Sequence, residues 1–553
     1  MSTISANNIK PRTGNSVTID GNVTGDITAT NVSGNGANVT NLNATQLASG
    51  TIPDARFPAT LPAVSGANLT GIDAAPSYTG VASGSLSNGA PVIITDDGKL
   101  TAVSGSSATE EIGSMTTFES AAAETYARSV CKTQNANQIV IAYQDSGNSS
   151  HGTAVVGTIT GTSIVFGTPV VFEAANTGHM SCTFDENAGR VVIAYYDYAN
   201  SSYGTAIVGT VSGTGSGGTI TFGTPVVYHS NTSYWNTLVY DSNAQKVCVG
   251  YRGAGNSNHA TARVGTVDPS DNSITFGTEV TMAANGIEFL NGCFDSTLNK
   301  VVYVFRDTAG NTGDAVVGTI TGTDVAFGTP VTFNSANTEY TSCSYDVGQQ
   351  KVVVAYRDRG NSDYGTARVG TVGGNSISFS GSETAFNTAD TNYTRIAYNF
   401  VLGKHVVVGS GPSHYYIGTV TGNEIEFTAG VDLGTASTPY LNIGPETNTS
   451  NSTFVITFRD GNDNSYGKAQ VLVTPFVNTN LTAGNFLGFS DAAYTDGQNA
   501  KVQLVGSIDD AQVGLTTGRK YYVRANGTLS TTADAVNVTA GISISETQII
   551  VKG

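Results

Sequence analysis

Charged side chains are scarce in this 553-residue sequence: they make up 12%, and acidic residues outnumber basic ones 42 to 25, for a formal net charge of −17. So few lysines and arginines cannot neutralise a polyphosphate or an anionic bilayer, which argues against nucleic acid or membrane as a partner. No run of about 18 apolar residues occurs, so no transmembrane helix is expected. The opening stretch, MSTISANNIKPRTG, has no apolar core and does not read as a secretory signal. Five cysteines in such a length argue against a disulfide framework. Cys131, Cys182, Cys293 and Cys343 fall in the first strand of different repeats, where they are not expected to bond to one another, and Cys248 falls in a second strand. They read as small buried side chains. Histidines number six and are scattered, with no CxxC and no HxxxH, so neither a metal site nor a cofactor is expected. P-loop, zinc-helix and nucleophile-elbow patterns are missing as well, so the chain reads as non-enzymatic, with no catalytic residue.

What the sequence has is repetition. The stretch KVVVAYRDRGNSDYGTARVGTV, from Lys351, recurs between about Gln138 and Thr474. Its Gly-Thr step falls at Gly157, Gly209, Gly265, Gly318, Gly370 and Gly418, with a degenerate copy around Leu472, spacings of 48 to 56 residues. A period near 50 made of short valine-rich runs points to an array of small sheets, none of which can bury both faces alone. Each copy divides into four strands, the last of the form ITFGTPVVY (from Ile220), and 66 glycines suit the many tight hairpins between them. Four strands in seven copies predict an all-β, seven-bladed β-propeller over residues 110–476. The final copy, FVITFRDGNDNSYGKAQVLVT from Phe454, lacks its fourth strand. A lone fourth-strand copy, Ile112 to Glu119 (IGSMTTFE), precedes the first repeat. It is expected to complete the seventh blade and so remove an open sheet edge.

The flanks read differently. Residues 76–109 and 477–553 carry alternating strands punctuated by Asp-Gly, Asn-Gly and Thr-Gly turns, and are expected to join as one small split β-domain with the propeller inserted between its strands. In residues 1–75 apolar side chains stand singly among small polar ones, too sparse to offset the entropy of ordering one copy alone. The piece NVTNLNATQLASGTIPDARFP in that segment resembles the shaft repeats of bacteriophage tail fibres and related virion fibres. The pattern GLTTGRKYYVRANGTLS, Gly514 to Ser530, resembles a terminal module of phage fibre proteins. The resemblance implies a homotrimeric fibrous stalk, anchored through its N-terminus to other virion structural proteins.

Topology then predicts an orientation. The chain enters the array on the fourth strand of the closing blade and leaves after its third, so both flanks should emerge on one face. The opposite face, built from between-blade connections and second-to-third-strand hairpins, should point outward. It carries two series. The hairpins begin at Asp145, Asp197, Gly253, Asp307, Asp358 and Asp460, and an aromatic or histidine precedes the first strand at Tyr126, His179, Tyr234, Tyr340, Tyr393 and Tyr440. Repeated Asp, Asn and Gly are what tight turns require, and DxGNS lacks the remaining acidic ligands of a calcium loop. Residues that break the repeat make better candidates: Tyr234 and Trp235, the latter the one tryptophan; Tyr198, Arg359 and Tyr364 in hairpins; Arg395, His414 and Tyr415 in the irregular sixth copy. With Tyr340 and Tyr393 these form the expected receptor- or glycan-binding set, aromatic faces for sugar C–H surfaces beside polar and cationic donors. Packing against a neighbouring blade is the competing reading for the Trp-Tyr pair.

The function expected is a surface-exposed virion fibre mediating host attachment, its partners a host-surface glycan or protein. A purely structural capsid or tail decoration protein is one alternative. A polysaccharide-degrading tailspike is another, but it needs a carboxylate pair about 5 to 10 Å apart, and the arginine cluster and S-x-D-x-G-x-x-W boxes of propeller sialidases do not occur.

Overall fold

In Lys351–Asp358 the five residues Val352 to Tyr356 are fully enclosed while Lys351 and Arg357 are half-buried. A strand apolar on both faces has to lie between two packed sheets. The computed structural model describes residues 75–108, 110–435, 437–445, 452–474, 476–533 and 537–552. The expected anchor and shaft lie, but for residue 75, outside them, as does the side chain of Tyr126.

The described chain is all-β and antiparallel. Thr338–Asp346, Lys351–Asp358 and Tyr364–Gly373 pair in sequence order, and Ser376–Ser378 with Thr384–Asp390 makes an interrupted outer strand. The same order recurs along the array. Adjoining units are often joined without a loop: Val170–Asp185, Val226–Asp241 and Val280–Asp295 are single strands. The first half of each is one unit's outer strand, and the second half is the next unit's inner strand. The last unit, Asn442–Ile443, Thr453–Asp460 and Tyr466–Val473, takes its outer strand from the far end of the chain. Leu472 pairs with Ile112, Ala469 with Thr116 and Lys468 with Thr117. This closed succession of antiparallel units is a β-propeller-like array.

One aromatic step recurs through the core. Outer-strand residues Phe118, Phe172, Tyr228, Phe333 and Phe386 are buried, each with its ring 5.1 to 5.2 Å from a tyrosine: Tyr143, Tyr195, Tyr251, Tyr356 and Tyr416. Tilted and edge-on pairs at this distance are favourable beyond their area. The YGT motif opening the third strand follows from that step, because a Cβ added at Gly365 would lie 2.5 Å from the Phe386 ring. The repeated aspartates serve their hairpins: Asp145 accepts from Asn148 N–H at 3.0 Å, Asp358 from Gly360 at 2.9 Å and Asp460 from Asn462 at 3.0 Å.

The five cysteines are free thiols. Two sequence neighbours one repeat apart nevertheless come side by side. Burial pushes the Cys131 thiol well up and Cys182 adds to it, and Cys343 is raised in the same way, with Cys293 beside it. Inner strands of adjacent units pack directly on each other, which sets Cys131 beside Cys182 and Cys293 beside Cys343 without a disulfide.

Both flanks leave from the edge opposite the 461–465 hairpin, where Gly105–Ala108 pairs with Phe476–Thr479. Beyond that bridge, Ser77–Val81, Pro91–Ile94 and Leu100–Ala102 share a sheet with Phe486–Ser490 and Asn499–Gln503. A second sheet is built wholly from the C-terminal flank, and Ile93, Val103, Phe489, Tyr521, Val523 and Ile549 form a core between the two.

Candidate functional site

The inner strands converge on an axial cavity of about 620 Å3. Five inner strands are bulged near their start, with register breaks at Gly178/Ser181, Tyr234/Thr237, Glu288/Asn291, Glu339/Ser342 and Asn392/Arg395. Inside each break one non-glycine residue adopts left-handed backbone: His179 (φ 44°), Trp235 (55°), Phe289 (54°), Tyr340 (51°) and Tyr393 (52°), with Tyr440 (62°) ahead of the last inner strand. Such a conformation costs an L-residue on the order of 1–3 kcal/mol, so its recurrence marks a placement imposed by the surrounding structure. The placement is a collar. Centroids follow one another at 5.1 Å (His179 to Trp235), 4.7 Å (to Phe289), 4.9 Å (to Tyr340), 4.9 Å (to Tyr393) and 4.6 Å (to Tyr440). All six rings are half-buried and line the cavity.

Two residues further along each strand, the cavity wall carries a second ring of positions: Ser129, Ser181, Thr237, Asn291, Ser342, Arg395 and Asn442. The small members stitch neighbouring units together. Ser129 Oγ accepts from Cys182 N–H at 3.0 Å, Ser181 Oγ from Leu238 N–H at 3.1 Å and Asn291 Oδ1 from Cys343 N–H at 3.1 Å, while Thr237 Oγ1 donates to the Leu290 carbonyl at 2.9 Å. Arg395 stands alone among them as a charged side chain. Its Nη1 donates to the Thr394 carbonyl at 2.8 Å, and burial lowers its pKa to about 10, with Tyr340 opposing. It is a cation at neutral pH.

Around the mouth, second-strand arginines meet carboxylates of the first strands and, at Asp390, of an outer strand. Arg306 lies 3.2 Å from Glu288 and 3.7 Å from Glu339, and Arg357 lies 3.1 Å from Glu339 and 2.8 Å from Asp390. A pair open to water, such as Arg357 with Asp390, adds at most about 1 kcal/mol, but together the pairs fix the rim across successive units. Arg252 at 5.0 Å over Tyr234 and Arg459 at 4.9 Å over Tyr440 continue it as cation–π contacts. Burial, then Arg252, depresses the His179 pKa to about 4, so that ring is neutral at pH 7.

The structure brings four of the expected residues, Trp235, Tyr340, Tyr393 and Arg395, to one cavity. Tyr234 sits beside the collar, its ring edge-on to His179 at 5.2 Å, so Trp235 is the true counterpart of the repeated aromatic. In the first unit, counting back two residues from Ser129, the partner of Ala142, gives Ala127 and not Tyr126. Tyr198 (62% exposed) lies on its hairpin. Arg359 is tied to Glu339 at 2.9 Å and Asp363 at 3.5 Å, which hold its pKa up, Glu339 foremost. Tyr364 and His414 each open a third strand away from the cavity, His414 in a shallow depression with Gly411 and Asp432. Tyr415 is a correction. It is 2% exposed in the core with Leu433, Leu441 and Phe454, because the sixth unit's third strand is short and puts Tyr415 opposite Val408, where the fifth unit has Ala367 opposite Ala355. It is not available to a receptor.

Sequence reading missed Phe289, Glu288 and the carboxylate role of Glu339. The signal was a fixed distance: His179, Trp235, Phe289, Tyr340 and Tyr393 each precede by six residues the Asp or Asn that ends the strand (Asp185, Asp241, Asp295, Asp346, Asn399).

No protein family and no curated protein matches the sequence. Among solved structures, the chain is similar to the Dos1 propeller (TM-score 0.39, 11% identity, 71% of this chain and 95% of that one). It is also similar to Saccharomyces cerevisiae Sqt1 (0.37, 10%, 68% and 100%) and to AofleA from Arthrobotrys oligospora (0.37, 10%, 61% and 92%). Likeness this distant transfers no activity.

Proposed function

We propose that the chain is a virion fibre that attaches a particle to its host surface. Its head is a seven-bladed β-propeller over residues 110–476, its stalk an N-terminal trimerising shaft, and residues 76–109 with 477–553 form a small split β-domain at the propeller's base. The observation that carries the reading is directional. Ile112 and Val473 place both flanks at the edge away from the 461–465 hairpin, while the aromatic collar and the hairpins share the other edge. Hydrogen bonds from Tyr198 N–H to Asn176 and from Arg359 N–H to Asn337 join hairpin to inter-unit connection there. A head that presents an aromatic, partly cationic cavity at the edge opposite its flanks suits recognition of a surface glycan. The virion setting is supported by the shaft-like GTIPDAR segment and the GLTTGRKYYV module.

The test is capture of envelope polysaccharide and of glycan arrays by the purified full chain. Retention without shortening of the glycan, lost in Trp235→Ala, is the expected result. Binding confined to purified particle proteins would replace this reading with a decoration role, and depolymerised glycan would replace it with an enzyme.

A further inference from the structure

The collar and Arg395 together define a ligand more closely than attachment alone requires. At six of the seven equivalent wall positions the side chain is small and uncharged, and several of these bond the backbone of the next unit. Arg395 departs from that pattern and reaches into the cavity with one hydrogen bond among the described residues, to its neighbour's carbonyl. A guanidinium has five N–H donors, so four remain. The rim arginines have the charge pairing that Arg395 lacks: Arg252, Arg306 and Arg357 each meet a carboxylate within 4 Å, whereas among the described residues none approaches Arg395 that closely. Arg395 is half-buried on the cavity wall, and a cation there without a counter-charge favours an anionic ligand, best paired by a planar carboxylate taken in two parallel hydrogen bonds. The cavity, about 620 Å3, falls in the range of small-ligand sites, roughly 300–1,000 Å3. Six half-buried collar rings line it, and aromatic rings suit the C–H faces of a pyranose. A net charge of −17 repels polyanions at long range, so a ligand carrying one negative charge fits better than a phosphate chain.

We propose that the axial cavity binds one carboxylate-bearing pyranose, a sialic or uronic acid unit, with Arg395 taking the carboxylate and the aromatic collar the sugar ring. The proposal rests on the attachment reading only for where such a sugar is met. It is tested by calorimetry and saturation-transfer NMR on the full chain with four probes: methyl glucuronide, the methyl glycoside of N-acetylneuraminic acid, neutral methyl glucoside and a glutamate-containing tripeptide. At least one acidic sugar is expected to bind in preference to methyl glucoside. Arg395→Gln should weaken it about tenfold or more, Arg395→Lys less, and Tyr340→Leu should weaken it with Arg395 intact. The urea midpoint of Arg395→Gln should be unchanged or raised, since an unpaired cation is removed, which separates lost binding from lost folding. Equal binding of the neutral glucoside, binding unaffected by Arg395→Gln, binding of the peptide alone, or no acidic sugar bound at about 10 mM would each overturn the proposal. Envelope capture that survives Arg395→Gln and acidic-sugar competition would overturn this site and leave attachment standing. Arg395-dependent binding of the free acidic sugar without envelope capture would do the reverse.

Discussion

The sharpest mechanical test is Phe118→Ala. Phe118 belongs to the strand that closes the array from the far end of the chain, and it is 6% exposed among Tyr143, Val455, Ala469 and Val471. Its ring lies edge-on to Tyr143 at 5.2 Å and to Phe166 at 6.0 Å. Removing a buried phenyl group costs roughly 3–5 kcal/mol, the transfer term plus the cavity left behind, and the edge-on contacts place Phe118 in the upper half of that range, each adding about 0.5–1.5 kcal/mol. Phe172 occupies the same step one unit on, 8% exposed and 5.1 Å from Tyr195, but its strand is continuous with its neighbours and needs no distant partner. Phe118→Ala and Phe172→Ala should therefore cost alike in equilibrium urea unfolding, followed by the fluorescence of Trp235, the single tryptophan, which sits in the collar far along the chain from residue 118. A double-mutant cycle with Tyr143→Leu, whose ring meets that of Phe118 at 5.2 Å, should show coupling of about 0.5–3 kcal/mol, as expected for contacting residues. A cost below about 1 kcal/mol for Phe118→Ala beside a full cost for Phe172→Ala would mean that the closing strand is not held as described.

Acid should loosen the fold through the collar. His179 titrates near 6.5 when unfolded and about 4 when folded, so the unfolded chain takes up the proton first; stability is retained above pH 6.5 and falls as pH drops from 6.5 to 4. At about 1.4 kcal/mol per unit the loss reaches at most about 3 kcal/mol, less for a half-buried ring. Urea midpoints at pH 7, 6 and 5 should slope less in His179→Gln, and parallel slopes would refute the assignment. Four of the five thiols are buried, so Ellman's reagent should titrate no more than one, Cys293, in the native chain and all five in denaturant; rapid native reaction of three or more would contradict the packing of the inner strands.

The closing strand was legible because IGSMTTF repeats the spacing of FGTPVVF with its aromatic in place, so a missing partner at one end could be matched to a spare at the other. The valine runs announced themselves through continuous burial. The collar was only half legible. A bulge adds a residue without changing the alternation of hydrophobic and polar positions, so Tyr234 looked equivalent to Tyr340 until the pairing of Thr237 with Gly250 set the frame. Phe289 was lost for the same reason. Tyr415 misled because its strand is shorter than its siblings, which moves an apparently irregular residue into the core. Arg395 was singled out as a break in the pattern, but its place in the cavity depends on packing between units, which no local spacing reports.

Ile112 and Leu472 are 360 residues apart yet share a ladder. During synthesis the first unit is made early and waits, one flank uncovered, until nearly the whole barrel of sheets has left the ribosome. Contacts this distant in sequence are slow to form, and half-made intermediates expose edges that recruit other chains. A message cut short after the fifth or sixth unit should thus yield insoluble product and not a smaller working head, so that only complete translation releases a soluble one.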